Sequence, residues 1–105
     1  MMDDKPWKRH ERSVAKALGG QRVPVNGRAG NPDVAHPLLA IECKERRSLP
    51  RWIEEAMAQA EKAATDGRLP VAVLHQAGER RGKDLVLLRL ADFKRLLAVV
   101  GVGSG

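Results

Sequence analysis

Residues 39–74 set two apolar segments on either side of a helix with an alanine-rich face, and this limits the folds open to the chain more than any other feature. The helix opens at Pro50 and runs to about Asp66, stopping before Gly67. On a 3.6-residue wheel Trp52, Ile53, Ala56, Met57, Ala60, Ala63 and Ala64 share one face, whose small side chains allow a close approach to a sheet. Residues 69–74 (LPVAVL) form a continuous apolar run with β-branched members, the pattern of a strand buried on both faces. A strand, a helix and a second strand in that order predict a parallel pair joined by a right-handed crossover.

Flanking elements extend this unit. Asp3 or Asp4 before Pro6 is a helix-start signal, Trp7, Val14, Ala15 and Leu18 form an apolar stripe, and Gly19 and Gly20 stop the helix. Residues 22–25 read as a short strand and 26–31 (NGRAGN) as a loop tolerant of positive φ. Strands follow at 32–36 and at 38 or 39 to 44, able to pair as a hairpin around His36–Pro37. After the basic loop 76–84, a strand at 85–90 and a helix at 93–100 complete the order αβββαββα, with 101–105 a frayed tail. The expected fold is α/β, a mixed central sheet flanked by helices, in a single domain spanning the 105 residues. Aromatic residues are only 3% of the chain, so the core must be aliphatic.

Charge narrows the function. Nineteen Lys and Arg against 13 Asp and Glu give a net charge of +6, which implies a polyanionic partner, nucleic acid or an anionic membrane face. Cys43 is the only cysteine, which excludes an intramolecular disulfide and a cysteine-based zinc site within one chain. His10, His36 and His75 have no common ligand spacing and read as structural or surface residues. No apolar run approaches the ~20 residues of a membrane span, and the N-terminus lacks the apolar core of a signal peptide, so the expected location is cytoplasmic.

The apolar pattern does not account for three acids. Glu11 falls inside the stripe of the first helix, where a carboxylate is costly unless paired, bound to a metal or able to snorkel to solvent. Asp33 begins the second strand, while Glu42 and Lys44 share one face of the third, with Ile41 and Cys43 on the other. Glu42 and Lys44 read either as a solvated charge pair or as part of a covered site. If the second and third strands pair antiparallel, Asp33 and Glu42 converge on one point. Hard oxygen ligands there suit Mg²⁺, with Mn²⁺ able to substitute, and a neighbouring Lys44 is placed to orient a water and stabilise developing phosphorane charge. These are the parts of metal-assisted phosphodiester hydrolysis.

Pro32-Asp33 followed by Glu42-Cys43-Lys44 resembles the PD…(D/E)xK signature of the PD-(D/E)XK nuclease superfamily. Glu11 matches the extra acid those enzymes often have on the first helix, and Gln59 the polar residue that often follows the Glu-x-Lys strand. Gln59 reads equally as a solvated helix flank. Within the superfamily the chain is most similar to archaeal-type Holliday junction resolvases, including small phage relatives, from the first helix into the fourth strand. It departs from them at Asn26, where they usually place Ser.

The resemblance implies a restriction-endonuclease-like core and a divalent metal held by Asp33, Glu42, the Cys43 carbonyl and Glu11. It also implies that Lys44 positions the nucleophilic water, and that a homodimer nicks four-way DNA junctions symmetrically in recombination or repair, in a bacterial or phage-infected cell. Arg22, Asn26, Arg28, Arg46, Arg47, Arg51, Arg80, Arg81 and Lys83 then become candidate DNA contacts, holding phosphates without reading sequence, and a membrane partner is not expected. Two alternatives stand beside this expectation. One is another nuclease of the superfamily, such as a virus-type replication-repair (VRR) domain cutting flaps or duplex ends. The other is a DNA-binding module on the same fold without catalysis.

Overall fold

Pro6 occupies the first turn of α1 (Pro6–Leu18), where its missing amide hydrogen is no loss. The computed structural model describes residues 5–23 and 32–101. Asp3 and Asp4, expected as caps, lie outside that range, and Lys5 holds the N-cap position without a side-chain capping bond to the helix. At the other end Gly19 takes a left-handed φ of 77°, and the Gly20 amide donates to the Ala15 carbonyl at 2.8 Å. Val14, Ala15 and Leu18 are buried, as the stripe predicts, whereas Trp7, its first member, is 41% exposed.

The chain is mixed α/β, with three helices and two small antiparallel sheets among the described residues. It divides into two compact units, Met1–Arg46 with Lys94–Gly105, and Arg47–Phe93.

In the first unit, β1 (Gln21–Arg22) pairs antiparallel with β2 (Val34–Ala35), Gln21 opposite Ala35 and Arg22 opposite Val34. Val34 is fully buried at the centre of this unit. Gly20 is needed at the junction of α1 and β1, because a Cβ there would run into the Ala35 carbonyl oxygen and stand 2.7 Å from Val34 Cγ1. The predicted hairpin around His36–Pro37 is present as one antiparallel bridge, Val34 to Ile41. His36 ties this turn to the helix. The Leu38 amide donates to its Nδ1 at 3.1 Å, so Nε2 holds the proton and donates to the Leu18 carbonyl at 3.1 Å.

The expected third strand does not continue beyond that bridge. The amide of Cys43, which a ladder would have used, donates to the Asp33 carboxylate instead.

In the second unit, α2 (Arg51–Ala63) starts after Pro50 and buries Met57, with Ile53, Ala56, Ala60 and Ala64 half-buried. It ends three residues before the expected Asp66, since Ala64 is already extended and Asp66 and Gly67 turn at φ of 57° and 74°. β3 (Ala72–Leu74) pairs antiparallel with β4 (Leu85–Leu87), Val73 opposite Val86. A short 3₁₀ turn, Arg81–Lys83, lies in the connection.

Two expectations are corrected here. Among the described residues β3 pairs with β4 alone, so two two-stranded sheets take the place of one mixed sheet with a parallel crossover pair. The LPVAVL run is not buried on both faces, because Val73 and Val86 are each 59% exposed across the pair.

Arg89, just after β4, clasps Glu61 of α2 through Nε at 2.8 Å and Nη2 at 3.3 Å, and approaches Glu54 at 3.6 Å. α3 (Leu90–Val99) begins three residues earlier than predicted. No helix among the described residues is long and apolar enough to cross a membrane.

Candidate functional site

The acids that the apolar pattern leaves unexplained belong to the first unit. Asp33 stands immediately before β2. Its backbone is fastened on both sides, with the Val23 amide donating to its carbonyl at 2.9 Å and its own amide donating to the Ile41 carbonyl at 2.8 Å. Its side chain then reaches along the bridged segment, and Oδ2 accepts the Cys43 amide at 2.6 Å, a charge-assisted bond. Pro32-Asp33 and Glu42-Cys43-Lys44 are therefore held side by side. Among the described residues Oδ1 of Asp33 has no hydrogen-bond partner.

Alternation along 42–44 follows the predicted pattern, Glu42 and Lys44 exposed with Cys43 half-buried between them. The Cys43 thiol is pushed above its ordinary pKa, first by burial and then by the negative charge of Asp33, Glu11 and Glu42. All three candidate carboxylates thus act electrostatically on one sulfur atom. Among the described residues no group of three or more His, Cys, Asp and Glu side chains is gathered as a metal shell.

Glu11 is 5% exposed, although it is charged. Its Oε1 accepts a hydrogen bond from Arg22 Nε at 2.8 Å, so Arg22, a candidate DNA contact, is the partner of the buried acid. The guanidinium also lies over the Trp7 ring, 5.9 Å from its centroid, a cation–π contact on its other side. Pairing resolves the cost of burying Glu11, the first of the three possibilities open from the helix wheel.

The donor set has the chemistry of a site for a hard divalent cation, namely carboxylate oxygens and a main-chain carbonyl next to an exposed lysine. Among the described residues Asp33 Oδ1, the exposed Glu42 and the Cys43 carbonyl have no hydrogen-bond or ion-pair partner. Glu11 is the exception, since a guanidinium already supplies positive charge at its carboxylate.

The other candidates are dispersed. Gln59 is exposed on α2, in the second unit. Arg46 is exposed in the first unit, and Arg47, Arg51, Arg80, Arg81 and Lys83 in the second. Arg51 pairs with Glu55 at 3.4 Å and Arg81 with Asp84 at 3.5 Å. Asn26 and Arg28 lie outside the described residues, as does most of the 101–105 tail.

Sequence reasoning missed one further polar pair. His75 Nδ1 is 2.6 Å from Asp84 Oδ1, bridging the ends of β3 and β4. A histidine just after one strand and an acid just before its partner, with Leu74 opposite Leu85, was the available signal.

Comparison of the chain with protein-family models, curated proteins and solved structures finds no match.

Proposed function

We propose that this protein is a metal-dependent, structure-selective endodeoxyribonuclease of the PD-(D/E)XK type, acting as a homodimer on four-way DNA junctions in the cytoplasm. The observation behind this reading is the bond from the Cys43 amide to Asp33 Oδ2, which holds the Pro-Asp and Glu-x-Lys segments together. On this reading the first unit is the start of a restriction-endonuclease-like core. Asp33, Glu42 and the Cys43 carbonyl would hold the cation, Mg²⁺ or Mn²⁺, with Glu11 completing the shell through water. When bound, the cation would polarise the phosphate and ease ionisation of a water. Lys44 would orient that water toward phosphorus and offset the charge that builds on the phosphate oxygens as the water's oxygen bonds to phosphorus, while the P–O bond to the sugar oxygen breaks and that oxygen takes a proton from solvent. Arg46 would hold a phosphate in the first unit, the exposed arginines and Lys83 of the second unit would contact DNA phosphates there, and the net charge of +6 favours encounter with DNA.

A second reading is a DNA-binding module that does not cut. It is favoured by the Glu11–Arg22 pair, because the guanidinium stands where a catalytic shell would draw on Glu11.

Cleavage assays separate the readings. Labelled four-way junction, linear duplex, flap and single strand are incubated with Mg²⁺ or EDTA. Paired symmetric nicks in the junction, lost in EDTA, are the expected result. Cutting that prefers flaps or duplex ends would instead indicate another nuclease of the superfamily, and binding without cutting in any substrate would leave only the module. Asp33→Asn keeps an oxygen for the Cys43 amide and should abolish cleavage with junction binding retained, as should Glu42→Gln. Undiminished cleavage in either variant would refute the assigned site.

A further inference from the structure

The second unit contains an open cavity of about 400 Å³, within the range of small-ligand sites, which is roughly 300–1,000 Å³. Leu74 and Leu85 form its apolar wall and Trp52 stands at its side, while His75, Gln76, Glu79 and Lys83 supply polar groups. Trp52 is 57% exposed, an indole face left to solvent beside a concavity. His75 is fixed by Asp84, whose other carboxylate oxygen faces Arg81 at 3.5 Å. Nδ1 is thereby committed to Asp84, and Nε2 is the ring's remaining polar atom.

These groups ask for a ligand with two different ends. An exposed indole favours a flat π-system laid against it. Gln76 offers a donor and an acceptor, and Glu79 offers acceptors, which suit the hydrogen-bonding edge and exocyclic amine of a base. Lys83 suits an anion. A nucleotide has all three features. A base within a duplex has its faces covered by stacking, so the nucleotide must be unstacked.

We propose that this cavity receives a single unstacked nucleotide of a DNA strand, with its base on Trp52, its edge at Gln76 and Glu79, and its phosphate at Lys83. The inference rests on the DNA-directed reading above for the identity of the polymer, and it places strand recognition in a unit separate from the carboxylates.

The test uses the full chain with Trp7→Phe, which leaves Trp52 as the only indole. In EDTA, Trp52 emission is followed while a single-stranded octanucleotide of deoxycytidine, deoxycytidine 5′-monophosphate or inorganic phosphate is added. Quenching by the octanucleotide, with or without quenching by the mononucleotide, is expected. Quenching by the mononucleotide alone would overturn the strand assignment, and equal quenching by inorganic phosphate would overturn stacking. In parallel, the anisotropy of a labelled octanucleotide should show affinity about tenfold weaker for Trp52→Ala and largely restored for Trp52→Phe. Lys83→Gln should lower the slope of log affinity against log salt by about 1. Unchanged affinity in Trp52→Ala overturns the proposal even if the parent cuts junctions in Mg²⁺. Normal stacking in a protein that cuts nothing would refute the nuclease reading and leave this one standing.

Discussion

Replacing Arg22 by Met would test how the first unit tolerates a buried acid. The substitution retains most of the apolar stem and removes the guanidinium that meets Glu11 at 2.8 Å. Side-chain exposure is 20% for Arg22 and 7% for Glu11, so water can reach the arginine far more easily than the carboxylate. Removing one partner of a buried pair costs about 3–5 kcal/mol, chiefly through the charge left behind. Partial access to solvent puts Arg22→Met near the lower end, about 3 kcal/mol. Glu11→Met leaves the more accessible member and should cost about 1–2 kcal/mol. With both replaced, no charge is stranded, and the loss should be no more than about 1 kcal/mol. The coupling in the double-mutant cycle is then at least about 3 kcal/mol. Urea unfolding followed by circular dichroism in EDTA measures all four proteins, with equal m-values as the check on comparability. Additive losses, or an Arg22→Met midpoint equal to the parent's, would refute the view that this pair neutralises Glu11.

Gly20→Ala would drive a methyl group into the Ala35 carbonyl and Val34 Cγ1 and should destabilise by about 1–3 kcal/mol; an unchanged thermal midpoint would contradict that packing. The raised Cys43 pKa means that the fold favours the neutral thiol, so its contribution to stability is present below the unfolded thiol value and is lost as pH rises through the folded one. In EDTA at about pH 8, alkylation should be slower than for a free thiol and faster in Glu42→Gln than in the parent; equal rates would count against the carboxylates' effect. Glu61 is held below the usual carboxyl range by its hydrogen bond from Arg89, so its contribution is present above the unfolded carboxyl value and disappears as pH falls through the folded one. Glu61→Gln should therefore flatten part of the acid limb of an unfolding titration, and an unaltered limb would show that the clasp is silent.

Local signals survived the step to three dimensions where the cause was itself local. Pro6 and Gly19 bound α1, Pro50 precedes α2, and the apolar stripe of α1 predicts the burial of Val14, Ala15 and Leu18, though not the exposure of Trp7. The turn at His36–Pro37 also forms. Pairing between distant elements was less legible. A β-branched run such as LPVAVL has the same composition whether one face or both are covered, and only its partner decides. The third strand failed because a side chain competed with the ladder for the Cys43 amide, which no periodicity reports. The candidate acids were legible as residues out of pattern. Their partners were not, since Arg22 is separated from Glu11 by 11 positions and Arg89 from Glu61 by 28.

The excess of basic residues divides in the same way. Arg22, Arg51, Arg81 and Arg89 are paired with Glu11, Glu55, Asp84 and Glu61. An arginine with a carboxylate partner must give up that contact, or share it, before it neutralises a phosphate, and it releases correspondingly less from the counterion atmosphere of DNA. Arg47, Arg80 and Lys83 are exposed and have no carboxylate within ion-pair distance among the described residues, and Arg46 donates only to a main-chain carbonyl. Electrostatic attraction to a polyanion therefore falls more heavily on these four than on the arginines already engaged. One of them, Lys83, lines the cavity beside Trp52, where charge and an exposed aromatic face occur together. A net charge read from composition weighs every arginine equally. The ion pairs distinguish arginines already engaged with a carboxylate, of which Arg22 alone is largely buried, from the cations left to meet a ligand.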